Sequence, residues 1–300
     1  TLVEVSNRTV GSRFLLKPSR EARELMAGVL ARAARKYPVQ VVFYVFLSSH
    51  FHLYLIVESA KQLADFMEYL DSNLARELGR LYDWRQKFWA KPYSVIPVSD
   101  EPEAQIGRLK YLIGNSVKEG LVEKVAQWPG LHAAQQILDS RALVGTWVNR
   151  TYLYRQGGRK IDPEKAHETE TLQLAKLPCW AHLSDDEYRK RIAELVRDIE
   201  TEARIEREAT GKRVLGRKAV LRKRAHYRPP REERSPIPLF HAASKEARRR
   251  FREAYKAFLD AYRIASGRLR EGHRDVVFPP GSFPPALPFV PAVRAGPAAA

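Results

Sequence analysis

Two apolar, β-branched and aromatic runs, residues 39–47 (VQVVFYVFL) and 50–57 (HFHLYLIV), are separated by only Ser48 and Ser49. A gap that short closes a hairpin, so the two runs are predicted to be antiparallel neighbours in one sheet. An amphipathic helix flanks the hairpin on each side. Ala22, Leu25, Met26, Val29, Leu30 and Ala33 recur at helical spacing before Tyr37 and Pro38 stop the first. Leu63, Phe66, Met67, Leu70, Leu74, Leu78 and Leu81 mark the second. Outside these, residues 2–5 are short and β-like. Residues 88–98 (FWAKPYSVIPV) read as a further strand, at an edge because Pro92 and Pro97 cannot donate to a ladder. Ser99 or Asp100 can cap a third helix carrying Ile106, Leu109, Ile113 and Val117. The order β-α-β-β-α-β-α predicts an α+β fold of the ferredoxin-like, split βαβ kind, with an antiparallel sheet and helices on one face. Such a fold hosts many functions and by itself selects none.

This first domain is expected to span residues 1–130. Residues 131–175 read as a connector with short helical pieces, residues 176–275 as a basic helical region, and residues 276–300 as a Pro-rich extended tail. Within the basic region Ser184 and Glu187 form a capping-box pattern that opens a helix through about Ile205. A second helix over about 244–269 carries Phe251, Tyr255, Phe258, Leu259 and Tyr262 on one face. The tail (FPPGSFPPALPFVP, 278–291) is expected to lie along a surface or stay loose.

The formal charge is +17, and residues 204–256 hold 18 Lys and Arg against 6 Asp and Glu, a surplus of +12. That excess attracts phosphate polyanions or an anionic membrane. No apolar run approaches the ~20 residues that span a bilayer, and no signal-peptide pattern opens the chain, so nucleic acid is the expected partner and membrane is not. A single cysteine, Cys179, excludes an intrachain disulfide and fits a reducing interior; the expected location is the bacterial cytoplasm, with the nucleoid. Because the chain begins at Thr1 and runs at once into an apolar alternation, a trimmed start or a fragment is expected.

Two small constellations carry chemistry. His50 and His52, two apart on a strand, leave the same face, where paired imidazoles can chelate one divalent cation. Tyr111 and Asn115, four apart on the third helix, lie one above the other on its non-core side. Two surface histidines and a packed tyrosine are the ordinary uses of such residues. Together and in this order, however, they match a known pattern.

Residues 46–55 (FLSSHFHLYL) resemble the metal-binding strand of the HUH single-tyrosine transposases, in which a bulky apolar residue sits between two histidines. Residues 111–122 (YLIGNSVKEGLV) resemble the catalytic helix of that family, typically Tyr-Ile-x-x-Asn-Pro-Val-x-x-Gly-Leu-Val. Residues 5–9 (VSNRT) are similar to its first strand. The likeness covers about residues 2–130 and is strongest to the REP-associated tyrosine transposases. Ser48 and Ser49 stand where the family has Pro-Asn, and Ser116 where it has Pro. The resemblance implies that Tyr111 is a nucleophile attacking a scissile phosphate in single-stranded DNA, leaving a 5′-phosphotyrosyl link and a free 3′-hydroxyl. It implies that His50, His52 and Asn115 hold Mg²⁺ or Mn²⁺, that the substrate can be a repeat hairpin, and that the protein can act as a homodimer. Elementary chemistry agrees, since a phenol of pKa near 10 needs activation to attack at neutral pH.

The residues expected to touch nucleic acid are Asn7 and Arg8 on the first strand, Tyr54 beside the histidines, and Arg222, Lys223 and Arg224 in the basic segment. The rival function is a non-catalytic, domesticated module that holds single-stranded nucleic acid by stacking and charge. Other enzymes fit poorly. A histidine-triad hydrolase needs a third histidine at position 54, which is Tyr, and no G-x-S-x-G or G-x-x-x-x-G-K-[ST] run is present.

Overall fold

A computed structural model describes residues 1–157, 159–230 and 238–285. Its first elements are β1 (Leu2–Arg8), α1 (Arg20–Lys36), β2 (Gln40–Phe46), β3 (His50–Ile56), α2 (Ala60–Leu81), β4 (Ser94–Pro97) and α3 (Pro102–Lys118). The four strands form one antiparallel sheet in the order β2-β3-β1-β4, the split βαβ arrangement expected from the sequence. Ser19 and Ser59 cap α1 and α2 by accepting from Ala22 and Gln62 backbone N–H groups. Both crossover helices share one face, beneath which Val5, Phe51, Leu53 and Leu55 are buried. Asn7, on that side of β1, donates to Asp71 of α2 at 2.7 Å. The opposite face is covered by α3, where the Tyr54 hydroxyl donates to the Gln105 carbonyl at 3.3 Å.

Strand lengths depart from the sequence pattern for identifiable reasons. β1 continues through Ser6, Asn7 and Arg8 because each is paired with β3, Arg8 opposite His50. β4 keeps only four residues of the run 88–98, at the sheet edge, with Trp89 touching Thr9 through an isolated bridge. The cap of α3 is Glu101 rather than Ser99 or Asp100, because Pro102 at the first helical position sets the start.

Residues 131–175 are built into the core body instead of linking it. After α4 (Ala133–Leu138) come β5 (Leu143–Val148), α5 (Arg150–Gln156), α6 (Pro163–Ala166) and β6 (His167–Leu172). β5 and β6 pair antiparallel and lie on α1. The approach is close enough that a Cβ at Gly28 would sit 2.1 Å from the Thr146 carbonyl oxygen. Arg32 and Arg35 of α1 clamp the pair through Glu170, each at 2.7 Å. The outer edge of β2 is occupied too: Phe46 N–H donates to the Leu131 carbonyl, and Ala175 N–H to that of Val41. The capping box of Ser184 and Glu187 opens α7 (Asp185–Thr210), which packs on α3 and α4. α8 (Arg217–Arg222) follows in the basic segment.

The contacts divide the chain at Arg248, so residues 1–248 form one unit and the boundary expected near 130 separates no compact bodies. α9 (Lys245–Arg270) opens in the first unit and continues in the second, residues 249–300. Within that second unit Tyr262 donates to the Phe283 carbonyl at 3.1 Å, and its ring meets Phe278. The tail thus meets the helix at Phe278 and Phe283; residues 286–300 lie outside the described residues. Among the described residues no helix is long and apolar enough to cross a membrane.

Candidate functional site

The site lies where α3 crosses the histidine face of the sheet. Period-two alternation puts Glu4, Ser6 and Arg8 of β1 on the same face as His50, His52 and Tyr54 of β3. The two imidazole rings are 5.2 Å apart, and the Tyr111 ring stands edge-on to His52 with 6.1 Å between centroids. Tyr111 is 40% exposed, so its ring is anchored on one side and open on the other. Asn115, one turn further along α3, is only 3% exposed, and its amide nitrogen is buried without a hydrogen-bond partner.

Glu4 organises this surface. One carboxylate oxygen contacts His52 Nδ1 at 2.7 Å, and the other pairs with Arg108 Nε. Burial alone would raise the pKa of Glu4, but hydrogen bonds and charge from His52 and Arg108 outweigh it and hold the pKa below the ordinary value. An ionised carboxylate only accepts, so His52 Nδ1 must donate, and in the neutral tautomer this leaves the Nε2 lone pair facing away from Glu4. His50 is kept neutral: burial first, then His52 and Arg8, hold its pKa well below that of a free imidazole. Its Nδ1 is 3.1 Å from the Ser49 hydroxyl. The Arg108 guanidinium lies 4.4 Å from the centroid of the Tyr111 ring, a cation–π contact that fixes the ring's tilt. Burial and the Glu4 charge raise the Tyr111 pKa, while Arg108 opposes them.

A divalent cation fits this donor set in kind. The two imidazole rings and the Asn115 side-chain oxygen are donors of the right kind, whereas the amide atom buried without a partner is the nitrogen, which cannot ligate. Among the described residues no group of three His, Cys, Asp or Glu is arranged to hold a metal, so the amide would complete any grip.

Residues 16–112, which include both histidines, Arg108 and Tyr111, match the family model described as transposase, IS200-like. Over this part the chain is similar to the IS200-like transposases. No curated protein matches the chain. A solved structure of a REP-associated tyrosine transposase bound to a REP hairpin is similar at 14% identity and a TM-score of 0.40, over 46% of this chain and 79% of that one. A protein of Deinococcus radiodurans R1, provisionally described as a transposase, is similar at 20% identity and a TM-score of 0.29, over 36% of this chain and 87% of that one.

Around the IS200-like region the other expected contact residues are distributed unevenly. Arg8 is exposed beside His50 and reaches Ser12 at 3.4 Å. Asn7 points to the opposite face, buried against Asp71, and Tyr54 is fully buried under α3, so neither reaches the surface that Tyr111 shares. The segment 211–228 straps round the region from the end of α3, where Leu215 N–H donates to the Gly120 carbonyl. It ends on the loop after β1, where Phe14 N–H donates to the Tyr227 carbonyl. That same loop holds the turn before His50, since Thr9 N–H donates to the Ser49 carbonyl. Arg222 and Arg224 are exposed there, and Lys223 stacks on Tyr227 at 4.4 Å. Glu4 and Arg108 are the residues that motif reading missed. Their signals were present: an acid at alternating register in β1, and a cation three residues before Tyr111 on the same helix face.

Proposed function

We propose that the chain cuts and rejoins single-stranded DNA through Tyr111, with Mg²⁺ or Mn²⁺ held by His50, His52 and Asn115. The observation that carries this reading is the edge-on approach of Tyr111 to His52 on a surface where Glu4 and Arg108 fix both rings. In the proposed reaction the Tyr111 oxygen attacks phosphorus, a Tyr–O–P bond forms to the 5′ side, and the P–O3′ bond breaks. The phenol gives up a proton and the departing 3′ oxygen takes one up, so the step balances and reverses without an external energy source. A bound divalent cation would supply Lewis acidity at the phosphate oxygens. Arg108 lowers the energy of the phenolate against burial, and His52, its tautomer set by Glu4, presents Nε2 as a ligand. Arg8, exposed beside His50, offers a charge to the DNA backbone. The proposed substrate is a single strand that can carry a hairpin.

The tyrosine is proposed to act in cis, as a monomer. Tyr111 already meets His52 of its own chain, and both sheet edges are covered: β2 by Leu131 and Ala175, β4 by His241, whose N–H donates to the Pro97 carbonyl. Incubation with a single-stranded hairpin oligonucleotide and Mn²⁺ tests the reading. A covalent protein–DNA adduct is expected, absent in Tyr111→Phe and strongly reduced in His50→Ala and His52→Ala. No adduct across varied hairpins would leave a binding module without chemistry.

A further inference from the structure

A cavity of about 280 Å³ opens beside the edge strand β2, lined by Arg23 and Tyr44 from one side of the sheet and by His132, which bonds α3, from the other. Tyr44 lies in it, next in sequence to Val45, the register partner of His52, but pointing the other way. The Tyr44 side chain is fully buried, yet its hydroxyl has no hydrogen-bond partner. Gln136, also lining the cavity, buries a side-chain oxygen without a partner. Buried polar atoms in folded proteins are normally satisfied, and two orphans on side chains that line one cavity, a donor and an acceptor, ask for a ligand that presents both.

The neighbouring polar groups cannot supply it. Trp128 Nε1 already donates to the Phe46 carbonyl, and His132 is engaged at both nitrogens, with the Ile113 carbonyl and the Ala134 N–H. They serve as walls, flat and aromatic. At the rim stand Arg23 and Arg217, both exposed and, among the described residues, without an ion-pair partner. An aromatic slot with one donor and one acceptor inside and two guanidiniums outside suits a planar heterocycle attached to a phosphate. The volume lies just under the ~300 Å³ where small-molecule pockets begin, which admits one base and not a stack.

We propose that this cavity receives one base of the DNA strand, with Tyr44 and Gln136 reading its edge and Arg23 and Arg217 holding its phosphates. It rests on the function proposed above only in taking the base from a single strand. Arg217 belongs to the same basic strap that reaches the loop holding Ser49, so a strand could follow one continuous cationic path round the β2 edge to His50.

Isothermal titration of the full chain with each of the four deoxynucleoside 5′-monophosphates, and with inorganic phosphate, tests this. At least one nucleotide is expected to bind more tightly than phosphate. Tyr44→Phe and Arg217→Ala should each weaken it about threefold to tenfold. Tyr44→Phe removes no existing hydrogen bond, so its thermal midpoint should not fall, which separates lost binding from lost folding. The same two variants should weaken binding of a single-stranded oligonucleotide in chelator, and Tyr111→Phe should leave nucleotide binding unchanged even if no adduct ever forms. Equal affinity for phosphate and nucleotides, no binding at all, or indifference to both variants would overturn the proposal. Nucleotide binding with unaltered oligonucleotide affinity would overturn the strand as its source.

Discussion

His52 donates its Nδ1–H to Glu4 at 2.7 Å, across the sheet and two residues along β1 from Ser6, its direct partner. That bond selects the tautomer that leaves Nε2 for a cation, and the other Glu4 oxygen ties Arg108, and through it Tyr111, to the same point. Replacing Glu4 by Gln should therefore weaken the cation grip without touching nucleophile or ligands. Outer partners of ligating histidines typically matter by about 10–100-fold. The expected outcome for Glu4→Gln is a Mn²⁺ titration of adduct formation displaced to higher concentration by about that factor, with adduct recovered at high Mn²⁺. An unshifted titration would mean that Glu4 serves packing alone.

The pairing of His50 with His52, and of Tyr111 with Asn115, was legible because strand and helix periods decide which residues share a face. The sheet order was legible because two-residue spacing forces a hairpin and amphipathic runs force crossovers. Glu4 was not, since a lone acid in an apolar strand becomes meaningful only once β1 is known to lie beside β3. Asn7 was misjudged for the same reason: its neighbour Arg8 faces the histidines, so parity sends Asn7 to α2 and Asp71. The β5–β6 pair escaped because its strands are far apart in sequence, and residues 167–172 (HETETL) owe their order to Arg32 and Arg35 rather than to hydrophobic pattern.

The basic strap gives a quantitative test through salt. If Arg222, Lys223 and Arg224 contact the DNA backbone, each neutralised phosphate releases counterions, adding about 0.7 to the log–log salt slope for a single strand. Changing all three to Ala should lower the slope by about 1–2 and weaken binding at low salt, while the adduct formed at saturating DNA stays the same. An unchanged slope would assign these charges to solubility. Because the strap is pinned through the backbone of Leu215, Gly216 and Tyr227, side-chain substitutions leave its path intact, whereas deletion would not.

The contact between α1 and β5 predicts a pair of coupled variants. A Cβ at Gly28 would lie 2.1 Å from the Thr146 carbonyl oxygen, and one at Gly145 would lie 2.1 Å from the Gly28 nitrogen. Both obstacles are backbone, which cannot swing aside as a side chain can. Gly28→Ala and Gly145→Ala are each expected to lose about 1–3 kcal/mol in urea unfolding, the usual range for overpacking. They push apart the same surfaces, so the double variant should lose less than the sum. Strict additivity would mean that each glycine is relieved by a different local shift.

Asp71 sets a pH dependence of stability. Its Oδ2 accepts from Asn7, its Oδ1 is buried without a partner, and burial pushes its pKa up to about 7. The unfolded chain titrates this group near 3.9. Between those values the folded protein binds the extra proton, so the contribution is fully present below about pH 4 and is lost as pH rises through 7. Asp71→Asn keeps an acceptor for Asn7 and removes the charge. It should stabilise the protein at pH 8 by about 1–3 kcal/mol, the usual cost of a buried unsatisfied polar group, with the gain shrinking towards pH 5. Urea midpoints measured from pH 5 to 8 decide the matter. A gain of the same size at every pH would show that Asp71 does not change its protonation over that range and that shape alone separates the two proteins.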